Sequence, residues 1–216
     1  MVILYEDKEI IVVNKSSGLL SVSTDREKEK TVHARLNSYV RKGNSKSKNR
    51  VYIVHRLDKH TSGVLVFAKS ENAKRYLQEI WSEFDKTYFA IVHGKMKTNE
   101  GEITSYLTEN AANRVYSVKN ESEGKFAQTN YLVLRETHKF SLVKINLVTG
   151  KKNQIRVHFS EKGNPVVGDK MYGFNDKEIK RLCLHSASLT LRHPFTFKLM
   201  TFETEVPLYM RTLVNY

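Results

Sequence analysis

The chain has 216 residues, 40% of them hydrophobic, and its 36 basic and 23 acidic side chains leave a formal net charge of +13. This length and apolar content suit a folded chain of one domain or of two lobes, and exclude a disordered one. The cationic surplus points to an anionic partner, RNA, DNA or an anionic membrane surface, because Lys and Arg that neutralise phosphates release condensed counterions.

In chain order, ILYEDKEIIVVNK (3–15) reads as two short strands around an acidic turn, with the next bend at Gly18. TDREKEKT (24–31) is a charged loop. Val32, Leu36 and Val40 then recur every fourth residue behind Thr31, the pattern of a short helix with a threonine N-cap. RKGNSKSKNR (41–50) holds five basic residues and no acid, so a mobile, phosphate-contacting arm is expected there. VYIV (51–54) and VLVFA (64–68) are strands on either side of HRLDKHTSG. Ser70 and Glu71 open a helix whose stripe runs Ala73, Tyr76, Leu77, Ile80, Trp81 and Phe84.

KTYFAIVHG (86–94), QTNYLVLRE (128–136) and FSLVKINLV (140–148) read as strands, the last with Val143, Ile145 and Leu147 on one face. NQIRVHFSEKG (153–163) is a helix closed by Gly163, and residues 182–206 form a hairpin turning at His193-Pro194. The expected fold is α+β, a mostly antiparallel twisted sheet with flanking helices. Residues 1–216 are expected to make a single domain, two lobes around a central cleft.

Several chemistries lack support. The single cysteine, Cys183, excludes internal disulfides and cysteine-rich metal sites; it sits in an apolar alternation and is expected to be buried and inert. No leader pattern follows Met1 and no apolar stretch approaches the ~20 residues that cross a bilayer, so a reducing cytoplasm is the expected setting, without membrane contact. The sequence has no HExxH, no GxxxxGK[ST], no GxGxxG and no GxSxG. What remains is Asp58, on a short connection between two strands, where a scaffold holds a side chain over a cleft. A plain ion pair with Arg56 is the structural alternative.

HRLDKHTSG followed by an apolar strand resembles the signature of the RluA-type pseudouridine synthases. EDKEIIVVNKSSGLLSV (6–22), KTYFAIVHG (86–94), TGKKNQIRVHFSEKGNPVVGDKMYG (149–173) and RLCLHSASLTLRHP (181–194) are similar to further family stretches, in the same order. The resemblance implies the pseudouridine synthase fold and an isomerase that acts on RNA uridines without metal or cofactor. It implies Asp58 as the attacking carboxylate, Tyr88 as the ring against the flipped base and a candidate for the C5 proton, and Arg156 as the cation paired with Asp58. Arg56 is expected to reach into the RNA. Further RNA contacts are expected from His55, Lys151, Lys152, Arg41 and Lys42.

The chain departs from the family pattern at Asn153, where histidine is usual, and at Ser16, where proline is usual. The family pattern begins at residue 3, so a stand-alone catalytic domain without an S4-type RNA-binding domain is expected, acting as a monomer. Ribosomal RNA ranks ahead of transfer RNA as the target. A non-catalytic RNA-binding protein that retains the fold is the alternative, and a DNA-binding protein ranks below both, there being no helix-turn-helix or basic-zipper pattern.

Overall fold

The computed structural model describes every residue except Arg26, Ser45, Asn175 and Lys177. Arg26 of the charged 24–31 loop and Ser45 of the basic 41–50 loop therefore lie outside the described residues. In chain order the strands and helices are β1 (Val2–Glu6), β2 (Ile10–Lys15), α1 (Val32–Arg41), β3 (Tyr52–Ile53), β4 (Ser62–Ala68) and α2 (Glu71–Glu79). There follow β5 (Asp85–His93), β6 (Glu100–Glu109), β7 (Val115–Val118), β8 (Lys125–Glu136), β9 (Phe140–Leu147) and α3 (Gln154–Glu161). The chain ends with β10 (Leu184–Arg192), β11 (Leu199–Glu203) and α4 (Leu208–Arg211). It divides into two compact units, Met1–Phe84 with Ser186–Thr204 and Asp85–His185 with Glu205–Tyr216.

In the first unit the strands run β1-β2-β4-β10, with β11 on β10 and β3 on β4. β2 and β4 are antiparallel, Ile10 opposite Ala68 and Lys15 opposite Gly63. Both strands are apolar at nearly every position because both faces are covered. Ile10, Val12, Val64 and Val66 share a core with Ala73 and Leu77 of α2. Their alternates Ile11, Val13, Leu65 and Phe67 are equally buried on the opposite face, where His33 of α1 stacks on Phe67 at 6.1 Å.

Thr31 caps α1 as its position suggests, its hydroxyl accepting from the Ala34 N–H, and Val32, Leu36 and Val40 are the buried stripe. Ser70 caps α2 in the same way. α2 stops at Glu79, earlier than the apolar stripe suggests. A 3₁₀ turn over Trp81–Glu83 then carries Phe84 into the same core, so the stripe continues across a change of helix type. The turn at His193-Pro194 joins β10 and β11 as expected, and His193 Nε2 lies 2.7 Å from Asp7 Oδ2 at the β1–β2 turn.

The second unit is an antiparallel run in the order β5-β9-β8-β6-β7. β6 and β7 were not legible in the sequence: their alternates are polar or half-exposed, and only Ile103, Leu107 and Val115 are buried. α3 lies on β6, β7 and β8, with Val157 in a small core beside Leu107, Val115, Ala127 and Tyr172. A second core gathers Ile91, Leu142, Val167, Cys183 and Met210. Burial pushes the Cys183 thiol up to about 12, which makes it an inert core residue. The architecture is α+β, with antiparallel strands in each unit and few helices. Among the described residues no helix is long and apolar enough to cross a membrane.

Candidate active site

Asp58 sits half-buried in the first unit, on the connection between β3 and β4. The backbone around it is held by the loop that follows β2. Ser21 Oγ donates to the Leu57 carbonyl at 2.7 Å and accepts from the Leu57 N–H at 3.0 Å. Gly18 N–H reaches the Lys59 carbonyl at 2.8 Å, and Ser17 Oγ reaches the His60 carbonyl at 2.7 Å. The Thr-Ser-Gly that follows has a steric reason. Gly63 has φ +113°, and a Cβ there would lie 2.0 Å from the Ser186 carbonyl oxygen, so no other residue fits.

Lys15 is the support that the sequence reading missed. Its side chain is 0% exposed, yet its ammonium donates to the carbonyls of Leu19 (2.8 Å), Lys59 (3.1 Å) and Ser16 (3.3 Å). Burial pulls its pKa down to about 8, while the negative charge of Asp58 acts in the opposite sense. Lys15 therefore stays a cation at neutral pH, beneath the loop that carries Asp58. The hint in the sequence was a lysine closing a mostly apolar strand and opening a Lys-x-x-Gly turn, a position where a charge needs partners.

The residues beside Asp58 diverge. Arg56 is exposed and makes no ion pair among the described residues, so the plain Arg56–Asp58 bridge is absent. His55, assigned from the sequence to RNA, has its ring 4.3 Å from Trp81, and its Nε2 accepts the Val66 N–H at 3.2 Å. In the first unit His55 thus packs on Trp81 and anchors the Val66 amide of β4.

In the second unit, Tyr88 lies on β5 opposite Ile145 of β9 and is 8% exposed. Strand alternation puts Lys86 and Ala90 on its face, and desolvation lowers the Lys86 pKa against the pull of Asp85. Arg156 stands in the first turn of α3. Its guanidinium meets Asp169 side-on, Nε to Oδ2 at 2.6 Å and Nη2 to Oδ1 at 2.9 Å, and lies 5.0 Å from the centre of the Tyr172 ring. Burial would raise the Asp169 carboxyl. The Arg156 bonds and charge, with the Met171 and Tyr172 amides, outweigh it and hold the group below its usual range.

Asn153, the departure from the family histidine, has a definite place. Its Oδ1 accepts from Arg156 Nη1 at 2.9 Å and its Nδ2 donates to the Tyr172 hydroxyl at 3.2 Å. It also begins α3 with φ +54°, a left-handed conformation that asparagine tolerates. Asn153 thus orients the guanidinium without any titratable group. Of the neighbouring lysines, Lys152 pairs with Glu109 and donates to the Asn113 carbonyl, whereas Lys151 is exposed. In the basic loop Arg41 Nε reaches the Asn49 carbonyl at 3.4 Å and Lys42 is exposed.

Comparison with known proteins agrees with this reading of the sequence. Residues 9–161 match the family described as RNA pseudouridylate synthase. The chain is 36% identical over 211 residues to the dual-specificity RNA pseudouridine synthase RluA of Haemophilus influenzae, spanning 94% of this chain and 92% of that protein. It is 33% identical over 215 residues to YhcT of Bacillus subtilis, an uncharacterized RNA pseudouridine synthase, spanning 98% of this chain and 70% of that one. The solved structure of human RNA pseudouridylate synthase domain containing 4 shares the fold, with a TM-score of 0.78 and 24% identity over 97% of this chain and 90% of its own. The chain belongs to the RNA pseudouridylate synthase family.

Proposed function

We propose that this family member isomerises uridine to pseudouridine in structured RNA, with Asp58 as the attacking carboxylate. The reaction breaks the C1′–N1 bond, forms C1′–C5, removes a proton from C5 and returns one to N1. Atoms and electrons balance within the nucleotide, so the protein must supply a carboxylate that stays ionised, a surface for the extruded base and an acceptor for the C5 proton. The observation that carries the reading is the setting of Asp58. It is a half-buried acid on a backbone pinned by Lys15, Ser17 and Ser21, with a buried ammonium beneath it. The Lys15 ammonium thus sets positive charge under the loop from which the carboxylate attacks.

We assign the Tyr88 phenol to the base and its C5 proton, and Arg156 to the charge of the reacting carboxylate. Extruding the base costs a few kcal/mol, least for an unpaired nucleotide, and stacking on an aromatic ring offsets it. Arg56 is assigned to the RNA, because it is exposed and carries no ion pair among the described residues. Ribosomal RNA is the favoured target, ahead of transfer RNA, with the protein acting as a cytoplasmic monomer.

The test is to map pseudouridines in RNA from cells with and without this gene, then to assay the purified protein on the RNA that differs. Asp58→Asn should bind that RNA as the parent does and make no product. Product formation by Asp58→Asn would remove Asp58 from the mechanism.

A further inference from the structure

A recess of about 450 Å³ opens in the first unit, lined by Glu6, Lys8, Tyr39, Lys42, Arg50 and Lys69 among others. Lys69 follows the last residue of β4, whereas the Asp58 loop enters β4 at Ser62. The six residue steps from Gly63 to Lys69 span about 20 Å of extended strand. The recess is thus well removed from the proposed reaction centre.

Its charge is unbalanced in a specific way. Glu6 is the single acid of the lining, and it is already engaged, accepting from Lys69 Nζ at 2.7 Å and from the Tyr39 hydroxyl at 2.9 Å. Those bonds hold its carboxyl below the usual range, so it stays ionised and matched to Lys69. Lys8, Lys42 and Arg50 remain, exposed and without an ion pair among the described residues. Arg50 is oriented by Tyr52, whose hydroxyl takes its Nε at 3.0 Å and whose ring lies 5.0 Å from its guanidinium carbon. Side chains also close the stem of the basic loop beside the recess. Asn37 Oδ1 accepts the Val51 N–H at 2.9 Å and Arg41 bonds the Asn49 carbonyl. Lys42 feels the charge of Glu6 and Arg50 that of Glu71, but none of the three cations is in contact with an acid among the described residues, and an anion with several negative oxygens offers them closer partners.

We infer that this recess is a second phosphate-backbone subsite for the RNA, engaged by nucleotides distant from the one that reacts. The inference rests on the pseudouridine synthase reading only for the identity of the polyanion. It deepens that reading in one respect: the substrate must extend beyond the reacting uridine, as a folded stem does and a short oligonucleotide does not. A polyanion with regularly spaced phosphates suits separate cations better than a single small anion would.

The experiment uses the full chain carrying Lys8→Gln and Arg50→Gln, with unfolding temperature as a check on folding. Binding is measured over a salt series with a fluorescent stem-loop and with a five-nucleotide uridine oligomer. The double variant should bind the stem-loop about tenfold more weakly at moderate salt, and the slope of log K against log salt should fall by about 2, one counterion per lost contact. The oligomer should show no difference, and in turnover the loss should fall on KM. An unchanged stem-loop affinity and salt slope would overturn the inference. So would an equal loss on both RNAs. Because binding is read with no reaction required, failure of the enzyme to make pseudouridine would count against the proposed activity alone.

Discussion

Asp58 and Arg156 are the two charged groups on which the proposed chemistry depends, and the molecule holds them by opposite means. In the first unit the carboxylate is placed through its backbone. Lys15, Ser17 and Ser21 reach the carbonyls of residues 57, 59 and 60, while the ammonium of Lys15 supplies charge from below. In the second unit the guanidinium is itself gripped, by Asp169 at two points, by Asn153 at a third and by the face of Tyr172. A short side chain such as aspartate has little freedom once its Cα is fixed, so fixing the loop already restricts the carboxylate closely. A long arginine carries about 2 kcal/mol of rotamer entropy and needs contacts at its far end.

The sharpest way to break this comparison is at Asp169. The pair is buried, with 13% of the Arg156 side chain and none of the Asp169 side chain exposed, so removing the acid breaks a buried side-on ion pair. Asp169→Asn should cost about 3–5 kcal/mol. Urea unfolding measures it, and a loss under about 1 kcal/mol would show that the guanidinium does not depend on this grip.

Acid should next separate the two units. His158, bonded to Ser105 and Thr129, and His185 both belong to the second unit, and burial lowers each to about 4. The unfolded chain takes up these protons near pH 6.5 and the folded one only near 4. Their contribution is therefore complete above about pH 6.5 and drains away as pH falls toward 4. Between pH 6.5 and 5 the loss is about 2 kcal/mol for each histidine. Hydrogen exchange at the two pH values should show β5, β8 and α3 losing protection before β2 and β4. The reverse order would contradict the assignment of buried neutral histidines. Asp169, with its depressed carboxyl, gives way only at lower pH, below about 4.

The smallest of these effects belongs to the first unit. Lys15→Met removes the donor from three carbonyls but also removes a buried charge, so the net cost should be about 2 kcal/mol. Turnover should fall more than this stability loss explains, because the Asp58 loop loses both an anchor and a cation. Thermal unfolding together with a pH–rate profile separates the two, and full activity in Lys15→Met would show that the Ser17, Gly18 and Ser21 bonds hold the loop without it.

Much of this was legible in advance, for identifiable reasons. Thr31 and Ser70 announce helices because an N-cap acts within four residues, and the alternation of β9 and the stripe of α2 are equally local signals. Asp58 stood out through HRLD and TSG, and the steric demand at Gly63 shows why that glycine belongs there. β6 and β7 escaped because their polar alternates carry little periodic signal. Asp169 escaped because nothing in its neighbourhood of the sequence marks it as the partner of a residue thirteen positions earlier. His55 was expected at the RNA from its place in the motif, and its packing on Trp81 and its bond to the Val66 amide are contacts that only the fold brings to it.

By itself the sequence determined the family, the order of most elements and the acid proposed to react, since spacing, caps and motif identity are carried by neighbouring residues. The tertiary structure alone decided which partner holds Arg156, that Lys15 is a buried cation under Asp58, and that Lys8, Lys42 and Arg50 surround one recess. The physical reason is that charge acts through distance and solvent exposure, and neither quantity exists until the chain has folded.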